Sequence, residues 1–144
     1  MIDSEVTRRV VGDFLRYVRS GHEPQRAAEF MAPTVRAHQV QSEDLATVER
    51  TPDDYAEHVR EMTASWGAFD LTIEEFLVDG ARAHVRLAQV GHHLGPVEGI
   101  APTGRIVRQI NSVVYHVEDG LITEYWIQID RAGLLAQLRD GVTI

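Results

Sequence analysis

The 144-residue sequence has no cysteine. Disulfide staples, thiolate nucleophiles and cysteinyl zinc sites are therefore excluded, which fits a reducing compartment. Positive charge is in the minority, 14 basic against 22 acidic side chains for a net charge of −8. That balance argues against a nucleic-acid backbone or an anionic membrane as the main partner. No apolar run approaches the ~18 residues of a membrane span. The opening Met1-Ile2-Asp3-Ser4-Glu5 lacks the basic region and apolar stretch of a signal peptide. There is no internal repeat and no low-complexity stretch. The expectation is a cytoplasmic chain.

Apolar residues at 44% and charged residues at 25% match an ordinary globular domain. A chain of this length buries about 70% of its unfolded surface, so one domain over residues 1–144 needs no further staple. Val6, Val10, Phe14 and Tyr17/Val18 recur at helical spacing, which sends Arg8, Arg9, Asp13, Arg16 and Arg19 largely toward solvent until Ser20-Gly21 ends the helix. Pro24 suits the first turn of a short second helix carrying Ala27, Ala28, Phe30 and Met31, stopped by Pro33. Thr51, Pro52, Asp53 and Asp54 mark the start of a third, whose stripe of Tyr55, Val59, Met62 and Trp66 runs to Gly67.

Val35 to Val40 reads as a strand, and polar Gln41 to Arg50 as a loop. Phe69, Leu71, Ile73 and Leu77, then Ala83, Val85 and Leu87, alternate about Asp79-Gly80 as a hairpin. Gly91 to Gly104 is loop-like. Two more strands, near Arg105 to Val117 and Leu121 to Asp130, flank Glu118-Asp119-Gly120, and Leu134, Leu135 and Leu138 mark a last helix. Helices followed by antiparallel strands predict α+β, with helices on one face of a bent sheet.

The last hairpin closes either on a two-residue turn at Asp119-Gly120 or on a three-residue turn with Gly120 left-handed. We prefer the second, because Val117 opposite Leu121 sorts the faces. Val107, Val113, Tyr115, Val117, Leu121, Tyr125, Ile127 and Ile129 then share one face, and Arg108, Ser112, His116, Glu124, Trp126, Gln128 and Asp130 the other. Either the apolar face packs on the helices, or the polar face lines a closed pocket and the apolar one meets a second subunit.

Three further segments complete a pattern: Gly91-His92-His93-Leu94-Gly95, Pro102-Thr103-Gly104-Arg105, and Asp119-Gly120-Leu121-Ile122 running on through Trp126 and Asp130 to Gly133-Leu134-Leu135-Ala136-Gln137-Leu138. In that order they resemble the SnoaL-like polyketide cyclase or ester cyclase family of the nuclear transport factor two-like superfamily. The resemblance implies a cone-shaped fold: three N-terminal helices on a strongly curved, mainly antiparallel sheet of four or five strands, and a short C-terminal helix. It favours the second reading of the faces, with a pocket on the polar side and a homodimer through the outer sheet face. It also implies an aspartate on the last strand acting as acid/base in an aldol ring closure, with no metal or organic cofactor. Asp130 is its counterpart here.

The candidate catalytic residues are thus Asp130, Arg108 and His38. Asp130 would take an α-proton if sheltered from water, although its place just before a helix equally suits an N-cap. Arg108 and His38 would steady an enolate or carry a proton. Trp126, Gln128, Tyr17, Tyr55 and Ser112 are the candidate substrate-binding residues. The His92-His93 doublet makes a poor metal site, since neighbours on a strand face opposite ways. The expected function is a cofactor-independent acid/base enzyme acting on a small hydrophobic carbonyl compound by cyclisation, isomerisation or dehydration. The alternatives are an epoxide hydrolase-like or cofactor-free oxygenase activity, and a binding or assembly module without turnover. Limonene epoxide hydrolase uses an Asp-Arg-Asp set; Arg108 and Asp130 match two members, but Ile110 stands where the other aspartate belongs.

Overall fold

The computed structural model describes residues 2–141. Helix α1 (Ile2–Phe14) runs into a π-helical turn (Leu15–Arg19), followed by a 3-10 helix (Pro24–Glu29). Strands β1 (Met31–Gln39) and β2 (Ala46–Arg50) precede α2 (Pro52–Trp66). Strands β3 (Asp70–Asp79), β4 (Arg82–His92), β5 (Ile106–Glu118) and β6 (Leu121–Ile129) then lead to α3 (Arg131–Asp140). The six strands form one curved sheet in the order β2-β1-β6-β5-β4-β3. Only β1 and β6 run parallel.

Thr51 caps α2 through a capping box: its Oγ1 accepts from Asp54 N–H and the Asp54 carboxylate accepts from Thr51 N–H, both at 3.1 Å. At the far end of α2, Gly91 of β4 lets the two backbones touch, since a Cβ there would lie 2.6 Å from the Trp66 carbonyl oxygen. Helix α1 is tied to the β3–β4 turn, where Thr7 donates to the Gly80 carbonyl at 2.8 Å and Gly80 N–H donates to Ser4 at 2.9 Å. Gln137 braces α3 against β5, accepting from Arg108 N–H at 2.8 Å and donating to the Arg108 carbonyl at 2.7 Å.

The main core lies between the helices and the inner sheet face. Val11, Phe14, Leu15 and Val18 meet Val35, Val85, Leu87, Tyr115 and Ile122, all 2% exposed or less. A second cluster joins Trp66, Phe69, Val107, Leu134 and Leu138.

Four sequence expectations are corrected. Residues 46–50 form an edge strand instead of a loop; with neither face covered, β2 carries no apolar alternation to betray it. Met31 and Pro33 belong to β1, not to a helix, and the pairing with β6 shifts between Met31 and Arg36, around the residue that has no N–H to give. The last hairpin closes on two residues, Asp119 and Gly120, with φ of 50° and 77°. A bulge between His116 and Val117 then restores odd-to-odd pairing, so Tyr115 still faces Tyr125. Finally, the apolar odd face is the one covered by the helices: Val107, Val113, Tyr115, Val117 and Tyr125 are all buried. It is therefore not a subunit interface.

Candidate functional site

The alternation that sends Tyr125, Ile127 and Ile129 inward sends Trp126 and Gln128 outward. Trp126 stacks on His38 at 5.0 Å between ring centroids, with the Arg82 guanidinium 5.1 Å from its own ring. His38 bonds Glu124 at 2.5 Å through Nε2 and Thr47 at 2.8 Å through Nδ1. This imidazole holds the Glu124 carboxyl below the usual carboxylate range, with Arg36 assisting. Arg108 lies on the same outer face against Glu74 at 3.2 Å, and Ser112 pairs there with Gln128 across β5 and β6. These placements correct the expected pocket lining by Arg108, His38, Trp126, Gln128 and Ser112.

Asp130 follows the last inward residue of β6 and is exposed. Its carboxylate accepts from Gly133 N–H at 3.0 Å and caps α3. A carboxylate so placed keeps its water and reaches no interior ligand, so the sheltered-base geometry expected of Asp130 is not what the fold builds. Tyr17 stacks on Phe30 and lies under the Arg26 guanidinium, 4.1 Å from the ring, outside the cavity walls. Among the expected site residues, Tyr55 lines the interior.

That interior is a cavity of about 190 Å³ on the inner face. Tyr55, Tyr115 and Tyr125 form one wall, with Tyr55–Tyr125 centroids 6.2 Å apart and Tyr115–Tyr125 centroids 5.9 Å apart. Met62, Trp66, Val113, Ile127 and Ile129 supply apolar walls, while Gln39, Gln109 and Asn111 bring amides from β1 and β5. Arg19, Arg50 and His58 complete it. Burial holds all three phenols above the ordinary tyrosine range, so they are neutral donors at physiological pH. Burial, reinforced by Arg50 and Arg19, pushes the His58 imidazole down to about 4 and keeps it neutral. No carboxylate lines the cavity among the described residues. Arg50 and His58 also line an outer groove with Glu49, Asp54, Glu57 and Glu61.

Arg19 reaches the cavity because the helix widens by one residue in its last turn. Ser20 N–H donates to the Leu15 carbonyl at 3.0 Å, an i to i+5 bond, and this π turn rotates Arg19 from the expected solvent side into the interior, where it is 4% exposed. Nothing in helical spacing foretells that turn. The amides were legible: Gln109 and Asn111 interrupt the apolar odd face of β5, as Gln39 does the inward series Val35 and Ala37 of β1.

The sequence profile of SnoaL-like polyketide cyclases matches residues 9–138. The chain belongs to the SnoaL-like polyketide cyclase family. Among solved SnoaL-like structures, a candidate polyketide cyclase from Acidithiobacillus ferrooxidans is 21% identical, with a TM-score of 0.81 over 95% of this chain and 96% of that one. The candidate polyketide cyclase IdmH of Streptomyces antibioticus is 23% identical, with a TM-score of 0.76 over 94% and 99%. AclR of Streptomyces galilaeus, a candidate hydroxylase, is 15% identical, with a TM-score of 0.79 over 98% and 85%. At these identities the likeness is one of fold. No curated protein matches the sequence. Among the described residues no helix is long and apolar enough to cross a membrane.

Proposed function

We propose that this SnoaL-like protein is an acid/base enzyme that moves a proton on a small carbonyl compound through an enolate, with His58 as the base. The carrying observation is the single neutral imidazole set among guanidinium and phenol donors on a partly apolar cavity wall. His58 would accept the α-proton and become imidazolium. The electron pair passes to the carbonyl oxygen, which takes hydrogen bonds from the cavity donors, and the imidazolium returns its proton to another carbon. No electrons are gained or lost. A base with a pKa of about 4 is weak, but it suffices where strong donors hold the developing oxyanion. The basic side chains are all arginine, so an imine-forming lysine is not available to a competing mechanism.

The volume points to a monocyclic compound, since about 190 Å³ lies below the ~300 Å³ at which ordinary ligand pockets begin. The test is isomerisation of cyclohex-3-en-1-one to its conjugated isomer, followed by ultraviolet absorbance. Catalysis by the unaltered protein and its loss in His58→Gln support the proposal. No catalysis, or catalysis unaffected by that change, ends it.

A binding module without turnover is the second reading, favoured by the absence of a carboxylate from the lining of the cavity among the described residues. Saturable ligand binding with no catalysis on a panel of cyclic ketones would select it. The outer sheet face, where Ile110, Val114 and Trp126 stand uncovered by helices, is the surface we propose for a homodimer. Light scattering at micromolar concentration reads a dimer if so and a monomer if not.

A further inference from the structure

Arg19 is a permanently charged group with 4% of its surface exposed. Among the described residues it takes part in no ion pair. With the Asn111 amide turned so that its nitrogen donates to the Ile110 carbonyl at 3.0 Å, its oxygen accepts from Nη2 of Arg19 at 3.1 Å. The Phe69 ring lies 5.8 Å from the guanidinium carbon. Nη1 is buried and has no partner, and Nε of Arg50, on the same cavity wall, is in the same condition. A buried cation lacking its counter-charge is costly to hold, and a fold that keeps one inside a cavity is suited to something that brings the charge.

The rest of the lining agrees. Three neutral phenols add donors beside the two guanidinium groups; Arg50 also faces the carboxylates of the outer groove, Asp54 among them, whereas no acidic side chain lines the cavity beside Arg19. The apolar walls of Met62, Trp66, Val113, Ile127 and Ile129 suit a carbon skeleton better than a bare inorganic ion. A chain of net charge −8 thus keeps one guanidinium, that of Arg19, buried without a counter-charge among the described residues.

We propose that the cavity binds an organic anion of about one ring, a carboxylate or an acidic enol, whose oxygen accepts from Nη1 of Arg19. The proposal deepens the reading of the same cavity as the functional site, but it does not depend on proton transfer by His58. For the proposed enzyme it names the substrate class: a cyclic carbonyl compound that carries an acidic oxygen, held by Arg19 at that oxygen while chemistry proceeds at His58.

Calorimetric titration of the full chain at pH 7 with benzoate, benzamide and chloride tests it. Benzoate and benzamide share shape, and benzoate has no α-proton, so binding is read apart from turnover. Benzoate is expected to bind about tenfold tighter than benzamide and tighter than chloride, a difference of ~1.4 kcal/mol for the tenfold step. Arg19→Gln should erase the preference for benzoate over benzamide, and Arg19→Lys should restore part of it. Equal affinities in the unaltered protein, no saturation by benzoate at millimolar concentration, or a preference that survives Arg19→Gln would each overturn the proposal. If Arg19→Gln does not fold, the benzoate-to-benzamide ratio in the unaltered chain and in Arg19→Lys decides. Anion preference without catalysis on cyclohex-3-en-1-one leaves this inference standing and removes the enzyme reading; catalysis without anion preference does the reverse.

Discussion

The two faces of the sheet both carry polar residues, yet they treat charge in opposite ways. On the outer face each of these charged groups has an opposite charge or a ring beside it, although Nε of Arg108 is left without a partner: His38 lies between Glu124 and Thr47, Trp126 between His38 and Arg82, and Arg86 and Arg108 lie against Glu74. On the inner face Arg19 and Arg50 keep buried nitrogens with no partner, and the neighbouring tyrosines are donors rather than counter-charges. A satisfied cluster holds a fold together. An unsatisfied one in a cavity is suited to a ligand, which is why we propose the inner face as the seat of function although the chemically richer-looking residues lie on the outer one.

The largest effect should come from the inner face. His58→Gln is expected to lower proton-transfer turnover at least about 100-fold, the lower range for removing a general base, with little change in melting temperature. An equal loss from His38→Gln would break the distinction between faces.

A moderate effect is expected at Asp130, and it should be one of stability. Asp130→Ala removes the carboxylate that accepts from Gly133 N–H and should cost ~1 kcal/mol, read as a lower midpoint in urea, while turnover stays within about twofold. A large loss of turnover at unchanged stability would return Asp130 to the catalytic role.

The pH dependence separates the faces again. His58 is held at about 4 when folded, below the ~6.5 of an unperturbed histidine. Between those values the unfolded chain binds a proton that the folded one refuses, so stability rises with pH across that window. His58→Phe should flatten this rise. The smallest effect concerns Glu124, whose carboxyl is lowered by His38. Its contribution is present above the ordinary carboxylate range and fades as pH falls through the lowered value, so Glu124→Gln should alter only the acid limb of an unfolding curve.

Much of the fold was readable because it rests on local rules. The α2 cap, the period change at Gly67 and the sorting of β5 and β6 into faces all follow from residue order. Beyond the bulge at His116/Val117 the hairpin faces match the expectation, because the bulge offsets the error of parity in the turn; beside the turn they do not, since Ile122 and not Leu121 is the buried partner of Val117. The site was less legible. Family resemblance drew attention to the polar even face and to Asp130, whereas packing placed the odd face inward; strand alternation gives two faces but does not say which one the helices will cover. Tyr55 could be read from its helical stripe. Arg19 could not, since its burial depends on a π turn with no signature in apolar spacing. Gln39, Gln109 and Asn111 were visible as breaks in apolar series, and such breaks at inward positions are the better guide to a cavity than conspicuous polar runs.

The most direct test is to measure isomerisation of cyclohex-3-en-1-one by His58→Gln and Asp130→Asn side by side with the unaltered chain. If the inner cavity is the seat of chemistry, the first variant loses turnover and the second keeps it. Turnover that persists in His58→Gln and disappears in Asp130→Asn would contradict the assignment.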